Sequence, residues 1–128
     1  MIIAGIGCRR GASAPDIETA IRAALDQAGV SADALDAIAT IAAKHDEAGI
    51  DAAAAHFGVE VLLISDDDLK AAGERAETRS ERVLALAGVP SVAEAAALAA
   101  AGPAGRLIAA RVIAGAATCA LATSEAAS

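Results

Sequence analysis

Apolar and polar residues follow two different periods along this chain. Residues 1–6 are almost entirely apolar, which predicts a short buried strand. Over 14–28 the apolar residues recur at helical spacing instead, which predicts an amphipathic helix. Ser13 supplies an N-cap for this helix and Gly29 a stop, so the chain begins with a strand, a turn and a helix.

The same two periods predict the remaining elements. Leu35 to Ala42 is rich in Ile and Ala and predicts a second strand, and 47–57 predicts a helix that closes at Gly58. The run 59–64 has the clearest strand pattern in the sequence. Beyond it we expect a helix from Ser65 to Gly73, followed by a charged mobile loop over 74–81. A short helix from Ser80 to Gly88 and a helix from Ser91 to Gly102 come next. Two strands over 106–114 and 116–123 complete the chain, either as a hairpin or side by side.

This order of elements indicates the fold class. Helices and strands alternate in the first half and strands follow each other in the second, which predicts an α/β protein with a mixed sheet. We expect a three-layer α/β/α sandwich whose mostly parallel sheet has about five strands. Its length of 128 residues suits a single domain over 1–123, followed by a frayed tail over 124–128.

Composition and charge exclude several classes of function. A net charge of −7 disfavours nonspecific binding to nucleic acid and to anionic membranes, and the single aromatic residue, Phe57, leaves no base-stacking platform. No apolar run is long enough to span a bilayer. Cys8 and Cys119 lie far apart in the sequence, so we expect free thiols and a cytoplasmic location. Neither the cysteines nor the histidines have the spacing of metal ligands, so we expect no metal. We also expect no cofactor.

The opening loop is the first candidate site. Its glycines predict a turn that lets a ligand approach the backbone, and Arg9 with Arg10 is the only adjacent basic pair in this acidic chain. The loop resembles a dinucleotide-binding turn but fails its pattern, because Arg10 occupies the third glycine position. We therefore expect recognition of carboxylate or phosphate groups, although a solvated charged strand end is the alternative. The candidate residues are Gly5, Gly7, Cys8, Arg9, Arg10 and Gly11.

A second candidate group follows the second strand. If the first two strands are parallel, Thr40, Lys44, His45 and Glu47 reach the same sheet edge as the opening loop. Lys44 suits carboxylate binding, His45 proton transfer, and Glu47 either general-base chemistry or the orientation of Lys44. The alternative is a charged loop that leads into the next helix. Cys8 is a weaker nucleophile candidate, because no histidine is placed to pair with it.

Several segments together carry a family resemblance. The opening loop, the second candidate group, Thr78 and Ser80 ahead of Gly88, the run 89–98 and the closing run 117–122 appear in the order found in the CobE/CbiG C-terminal domain family of cobalamin biosynthesis. The chain resembles this family over nearly its whole length, and it is most similar to the stand-alone CobE form. The resemblance implies a compact α/β/α domain that acts on a corrin-ring precursor.

The resemblance also adds site residues. It implies ligand-binding roles for Ser91, Glu94, Arg111 and Thr118, and Arg111 stands where longer members tend to carry a lysine. That replacement keeps the positive charge and removes a candidate catalytic amine. In the longer members the same domain is fused behind another, and the whole protein opens the δ-lactone of a cobalt-precorrin with loss of acetaldehyde. The stand-alone form is associated with the aerobic route to hydrogenobyrinic acid.

The sequence is compatible with three functions. The resemblance and the basic residues both favour a protein that handles polycarboxylate corrin precursors, either as a hydrolase-like enzyme or as a carrier, with other cobalamin-pathway enzymes as partners. The glycine-rich loop taken alone also fits a nucleotide- or phosphate-binding regulatory module. A structural subunit that uses the alanine-rich helix over 91–101 as its interface is the third.

Overall fold

The computed structural model describes residues 1–44, 46–76 and 91–124. Within these ranges the chain forms five strands and four α-helices, with one-turn 3₁₀ helices at Ala32–Ala34 and Ala42–Lys44. The elements are β1 (Ile2–Cys8), α1 (Ala14–Ala28), β2 (Leu35–Ile41), α2 (Ala48–Phe57), β3 (Glu60–Ile64), α3 (Asp66–Gly73), α4 (Val92–Ala101), β4 (Arg106–Ala114) and β5 (Ala117–Thr123).

The strands form one mixed sheet in the order β3-β2-β1-β5-β4. The ladders from β1 to β2 and from β2 to β3 are parallel, whereas β5 runs antiparallel to both of its neighbours. Four strands therefore run in one direction, and β5 lies between β1 and β4 in the other. This confirms the predicted α/β fold with a mixed, five-stranded sheet, and it shows that β4 and β5 form a hairpin.

Helices cover both faces of the sheet. Buried residues of α1 and α2 share one apolar cluster with Ile6, Ile38 and Cys119 of the sheet. On the opposite face α3 and α4 pack over Ile3 and Ala39. The molecule is thus a three-layer α/β/α sandwich, and its core consists of Ala, Ile, Leu and Cys side chains, as the nearly aromatic-free composition requires.

The local signals in the sequence predicted the helix boundaries well. The Ser13 hydroxyl caps α1 by accepting a hydrogen bond from the Asp16 amide, and the Ser91 hydroxyl caps α4 in the same way through the Glu94 amide. The predicted strand over 35–42 ends one residue earlier, where the 3₁₀ turn begins. The short helix from Ser80 to Gly88, most of the predicted loop and the last four residues of the predicted tail lie outside the described residues.

The extent of β1 differs from the prediction. The strand continues to Cys8, which pairs with Ala117 of β5, so Gly5 and Gly7 belong to the strand and not to a turn. An added Cβ on Gly5 would lie 2.6 Å from the Ala97 amide nitrogen. The strand glycines therefore allow α4 to pack closely against β1. The prediction of a glycine-rich turn that begins at Gly5 was wrong for Gly5 to Cys8, which belong to the strand.

Candidate functional site

A cleft of about 670 Å³ opens at the edge of the sheet where β1 and β2 end and the β4–β5 hairpin turns. Parallel strands bring the ends of β1 and β2 to the same edge, where open α/β sheets place their ligands. The N-terminus of α4 borders the cleft on one face of the sheet. The polar lining residues are Cys8, Arg9, Arg10, Lys44, Arg111 and Thr118, and the larger apolar ones are Ile41, Val92 and Ile113.

One row of paired residues crosses three strands in the cleft. Gly7 of β1 pairs with Thr118 of β5, which in turn pairs with Ile113 of β4. The Thr118 hydroxyl donates a hydrogen bond to the Gly7 carbonyl oxygen at 3.1 Å. Ile113 is 67% exposed, more than the other large apolar side chains in the described part of the chain. Gly7 has no side chain, so the cleft surface is low there, and Ile113 contributes an exposed apolar side chain to it.

The loop after β1 holds its main chain in place while its arginines stay exposed. The Arg9 amide donates to the Ala116 carbonyl oxygen in the β4–β5 turn, and the Ala12 amide donates back to the Arg9 carbonyl oxygen, each at 3.0 Å. Gly11 occupies the third position of this turn with φ of 77°, a left-handed conformation that favours glycine. Arg9 and Arg10 are both exposed and both line the cleft.

Glu47 connects this loop to the segment that carries Lys44. Its Oε2 accepts a hydrogen bond from the Gly11 amide at 3.0 Å, and its Oε1 lies 3.9 Å from Lys44 Nζ. The side chain is buried, and it belongs to the layer of residues behind the cleft wall. One carboxylate therefore fixes a main-chain amide of the basic loop and orients the ammonium group of Lys44.

Arg111 extends the positive charge to the opposite wall of the cleft. It comes from β4, the edge strand next to β5, and its main-chain amide donates to Glu94 Oε2 at 2.8 Å. Glu94, in the first turn of α4, and Ser91, its N-cap residue, are fully buried. Four basic side chains and no acidic one line the cleft among the described residues, although the whole chain carries a net charge of −7.

The structure brings seven of the fourteen candidate residues together in the cleft, places five behind it, and leaves Gly11 exposed in the loop beside it. Thr40 is buried, and its hydroxyl donates to the Ile6 carbonyl oxygen at 2.9 Å, linking β2 to β1. His45 lies outside the described residues. The residues that line the cleft are Gly7, Cys8, Arg9, Arg10, Lys44, Arg111 and Thr118, and the buried ones behind it are Gly5, Thr40, Glu47, Ser91 and Glu94.

Sequence reasoning missed the apolar side of the site. Ile41, Val92 and Ile113 carry no polar signal, and each fits a core position in its own element. The one available clue was that Val112 and Ile113 are both apolar at the end of an edge strand, where one face is ordinarily polar. Val112 packs into the core on the α1 side, which leaves Ile113 on the side of the cleft.

The thiol of Cys8 is poorly placed to act as a nucleophile. Partial burial raises the pKa of Cys8, Lys44 lowers it by a smaller amount, and Glu47 raises it further. Burial also raises the pKa of Cys119 far above its usual range, because that thiol lies in the core. Both thiols are therefore neutral near pH 7.

The described part of the chain contains neither a metal-binding cluster nor a membrane-spanning helix. Within 1–44, 46–76 and 91–124, no three His, Cys, Asp or Glu side chains converge in a way that suits a metal ion. Every helix in those ranges is too short or too polar to cross a bilayer.

Comparisons with known proteins agree with this fold. The family described as Cobalamin synthesis G C-terminus matches residues 2–122. Protein CobE of Sinorhizobium sp is 36% identical over 121 residues, which cover 94% of this chain and 79% of that protein. The crystal structure of CobE, described as a protein from the cobalamin (vitamin B12) biosynthetic pathway, superposes on this fold with a TM-score of 0.88 at 36% identity. The matched region covers 95% of this chain and 89% of the CobE chain.

A longer relative is similar to this chain over part of its length. Cobalt-precorrin-5A hydrolase of Priestia megaterium is 34% identical over 94 residues, which cover 73% of this chain and only 25% of the hydrolase. The predicted family resemblance is confirmed by the match to the family over 2–122 and by the relatives at 34–36% identity. The chain therefore belongs to the Cobalamin synthesis G C-terminus family and is a protein of cobalamin biosynthesis.

Proposed function

We propose that the cleft binds a corrin-ring precursor of cobalamin and that the protein holds and delivers this intermediate without converting it. The observation that carries the proposal is the lining of the cleft. Four basic side chains surround an apolar surface that includes the exposed Ile113, in a protein whose overall charge is negative. A flat apolar ring with acetate and propionate arms is complementary to both features.

The basic residues suit the carboxylate arms. A guanidinium group can hold a carboxylate with two parallel hydrogen bonds, and hydrogen bonds to charged groups stabilise by about 1.5–3 kcal/mol each. Because the main chain of Arg9 is already held by Ala116 and that of Gly11 by Glu47, little backbone entropy is lost when the ligand binds. Lys44 and Arg111 bring further charge from two other elements.

The apolar lining suits the ring. Ile41, Val92 and Ile113 come from β2, α4 and β4, so they line the cleft from three sides. Covering Ile113 with a ring would remove an exposed apolar side chain from water and add hydrophobic stabilisation. The cleft volume of about 670 Å³ falls in the range of small-molecule sites.

Binding without turnover fits the state of the candidate catalytic groups. Both oxygens of Glu47 already face partners, one at the Gly11 amide and one at Lys44 Nζ, and the raised pKa of Cys8 keeps its thiol neutral. Hydrolysis is the second candidate, because one relative is a cobalt-precorrin-5A hydrolase of which this chain matches a quarter. A carrier needs a recipient, which we expect to be another cobalamin-pathway enzyme in the cytoplasm.

Equilibrium dialysis against hydrogenobyrinic acid, a polycarboxylate corrin, tests the proposal. We expect Arg9→Ala/Arg10→Ala to weaken binding at least about tenfold. The matched control is Lys70→Ala/Arg106→Ala, which removes two exposed positive charges outside the cleft and leaves the affinity unchanged. Equal affinity of the wild type and the Arg9/Arg10 variant would sink the proposal.

Two further measurements separate the alternatives. The absorption spectrum of the ligand after prolonged incubation distinguishes a carrier from a hydrolase, because a carrier returns the corrin unchanged. Competition with ATP or inorganic phosphate tests the nucleotide- or phosphate-binding alternative. We expect both to displace the corrin only at concentrations where ionic strength itself screens the arginines.

A further inference from the structure

We infer that Glu94 is a positioning residue for the ligand site, because its hydrogen bond to the main-chain amide of Arg111 determines where the Arg111 guanidinium enters the cleft. The inference rests on the proposed function, since it concerns which anionic arms the cleft recognises. The family resemblance implies ligand contact for Glu94, whereas the structure places this carboxylate behind the cleft wall, fully buried.

The pairing of β4 with β5 is irregular between Ala109 and Val112, the stretch that contains Arg111. Ala109 pairs with Leu121 and Val112 with Cys119, so three steps along β4 match two along β5. The extra residue makes a bulge, which interrupts the regular ladder and needs another acceptor for a main-chain amide. Glu94 Oε2 supplies that acceptor for Arg111 at 2.8 Å, within the usual range of an N–H···O hydrogen bond.

The bulge decides which face of the sheet each β4 side chain occupies. Val112 packs into the core on the α1 side, whereas Arg111 and Ile113 line the cleft on the other side. A register slip of one residue would move every following side chain to the opposite face. The hydrogen bond from the Arg111 amide to Glu94 thus fixes the main chain at a basic residue of the cleft.

The carboxylate itself is held firmly. Glu94 lies in the first turn of α4, whose start is capped by the buried Ser91 hydroxyl. The main chain of α4 at Ala93 and Ala97 packs directly against Gly5 and occupies the position that a Cβ atom on Gly5 would take. This close contact restricts movement of the helix across the sheet. Glu94 therefore links a rigid helix to the main chain of an edge strand.

The amide of Arg111 gives a test that needs no ligand. In native-state hydrogen exchange followed by NMR, we expect this amide to be protected in the wild type and in Glu94→Gln, which keeps a carbonyl oxygen acceptor. Protection should fall in Glu94→Met, which has similar length and no strong acceptor. Unchanged protection in a folded Glu94→Met would overturn the inference.

A double-mutant cycle with hydrogenobyrinic acid tests the link to binding. We expect Glu94→Met to weaken binding about tenfold when Arg111 is present and less than about twofold in an Arg111→Ala background, because the effect passes through Arg111. Equal losses in both backgrounds would mean a general structural role and would overturn the inference. If Glu94→Met does not fold, Glu94→Asp replaces it in both measurements, since the shorter side chain keeps the carboxyl group and cannot reach the same amide.

The Arg9→Ala/Arg10→Ala variant separates this inference from the proposed function. If that variant binds the corrin as tightly as the wild type, the proposed cleft is wrong, whatever Glu94 does. If it binds weakly and the Glu94 cycle is additive, only the positioning role of Glu94 is wrong.

Discussion

Gly5 of β1 and Ala93 of α4 touch through their main chains, because the space of a Gly5 side chain is filled by the Ala93 carbonyl oxygen and the Ala97 amide. This contact brings α4 close to the centre of the sheet. It also places Val92 at the cleft, and it seats Glu94 where its carboxylate reaches the amide of Arg111. A glycine that the sequence offered as a ligand contact therefore shapes the site through packing.

Gly5→Ala should destabilise the protein strongly. The new methyl group would collide with main-chain atoms of α4, which cannot move aside as a flexible side chain does. We expect a loss of at least about 3 kcal/mol in the free energy of unfolding, at the upper end of overpacking costs. Urea titration followed by circular dichroism measures it.

Gly58→Ala is the control for that experiment. Gly58 has φ of 70° and open space around it, so alanine there is strained without any collision. We expect it to cost about 1–2 kcal/mol. A Gly5→Ala variant as stable as Gly58→Ala would contradict the close packing of α4 on β1.

Thr40→Val should reduce stability and leave ligand binding intact. The substitution removes the hydrogen bond from the Thr40 hydroxyl to the Ile6 carbonyl oxygen, which is buried between β2 and β1. We expect a loss of about 1–2 kcal/mol in the free energy of unfolding and no change in affinity for hydrogenobyrinic acid. In the control Thr19→Val, the lost bond to the Pro15 carbonyl oxygen is exposed and should cost less. A weaker complex with Thr40→Val would instead favour direct ligand contact.

Two substitutions of Glu47 should have different effects. Glu47→Gln keeps an oxygen for the Gly11 amide and removes the negative charge beside Lys44, so we expect unchanged or tighter corrin binding. Glu47→Ala frees the basic loop, so we expect binding to weaken severalfold, which corresponds to about 1 kcal/mol. Equilibrium dialysis measures both. If the wild type converts the corrin and Glu47→Gln does not, Glu47 is a catalytic base and the carrier proposal is wrong.

The buried thiol of Cys119 should make the protein less stable in alkali. Its pKa is raised by burial in the folded state, so the unfolded chain loses this proton first as the pH rises. The protonated Cys119 thiol contributes its full stabilisation below the pKa of about 8.5 that a cysteine has in the unfolded chain. Above that pH the free energy of unfolding falls by up to about 1.4 kcal/mol per pH unit.

The difference between the wild type and Cys119→Ala isolates this effect. We expect the two free energies of unfolding to converge between pH 8 and pH 10, because the variant lacks the ionising thiol. The chain has no tyrosine, so no phenol ionises in the same range. Parallel pH profiles for the two proteins would show that Cys119 ionises as easily in the folded state as in the unfolded one.

Much of the fold was predictable because its signals are local. The Ser13 cap, the helical spacing of apolar residues and Gly29 predicted α1 at Ala14–Ala28 with its correct bounds. The parallel course of β1 and β2, on which the joint position of Arg9 and Lys44 depended, follows from the helical crossover between them. The family was also evident from motifs that lie in order along the chain.

The sequence by itself determined the helices and strands found in the described residues, the α/β class, the family and the basic residues, because caps, periodicity and charge are properties of short segments. Only the tertiary structure decided that β1 extends to Cys8 beside Ala117, that Thr40 faces the interior, and that Glu94 reaches the amide of Arg111. Those features depend on pairing between strands distant in sequence and on which helix covers which face. No local pattern records that information, because burial and register are set by partners elsewhere in the chain.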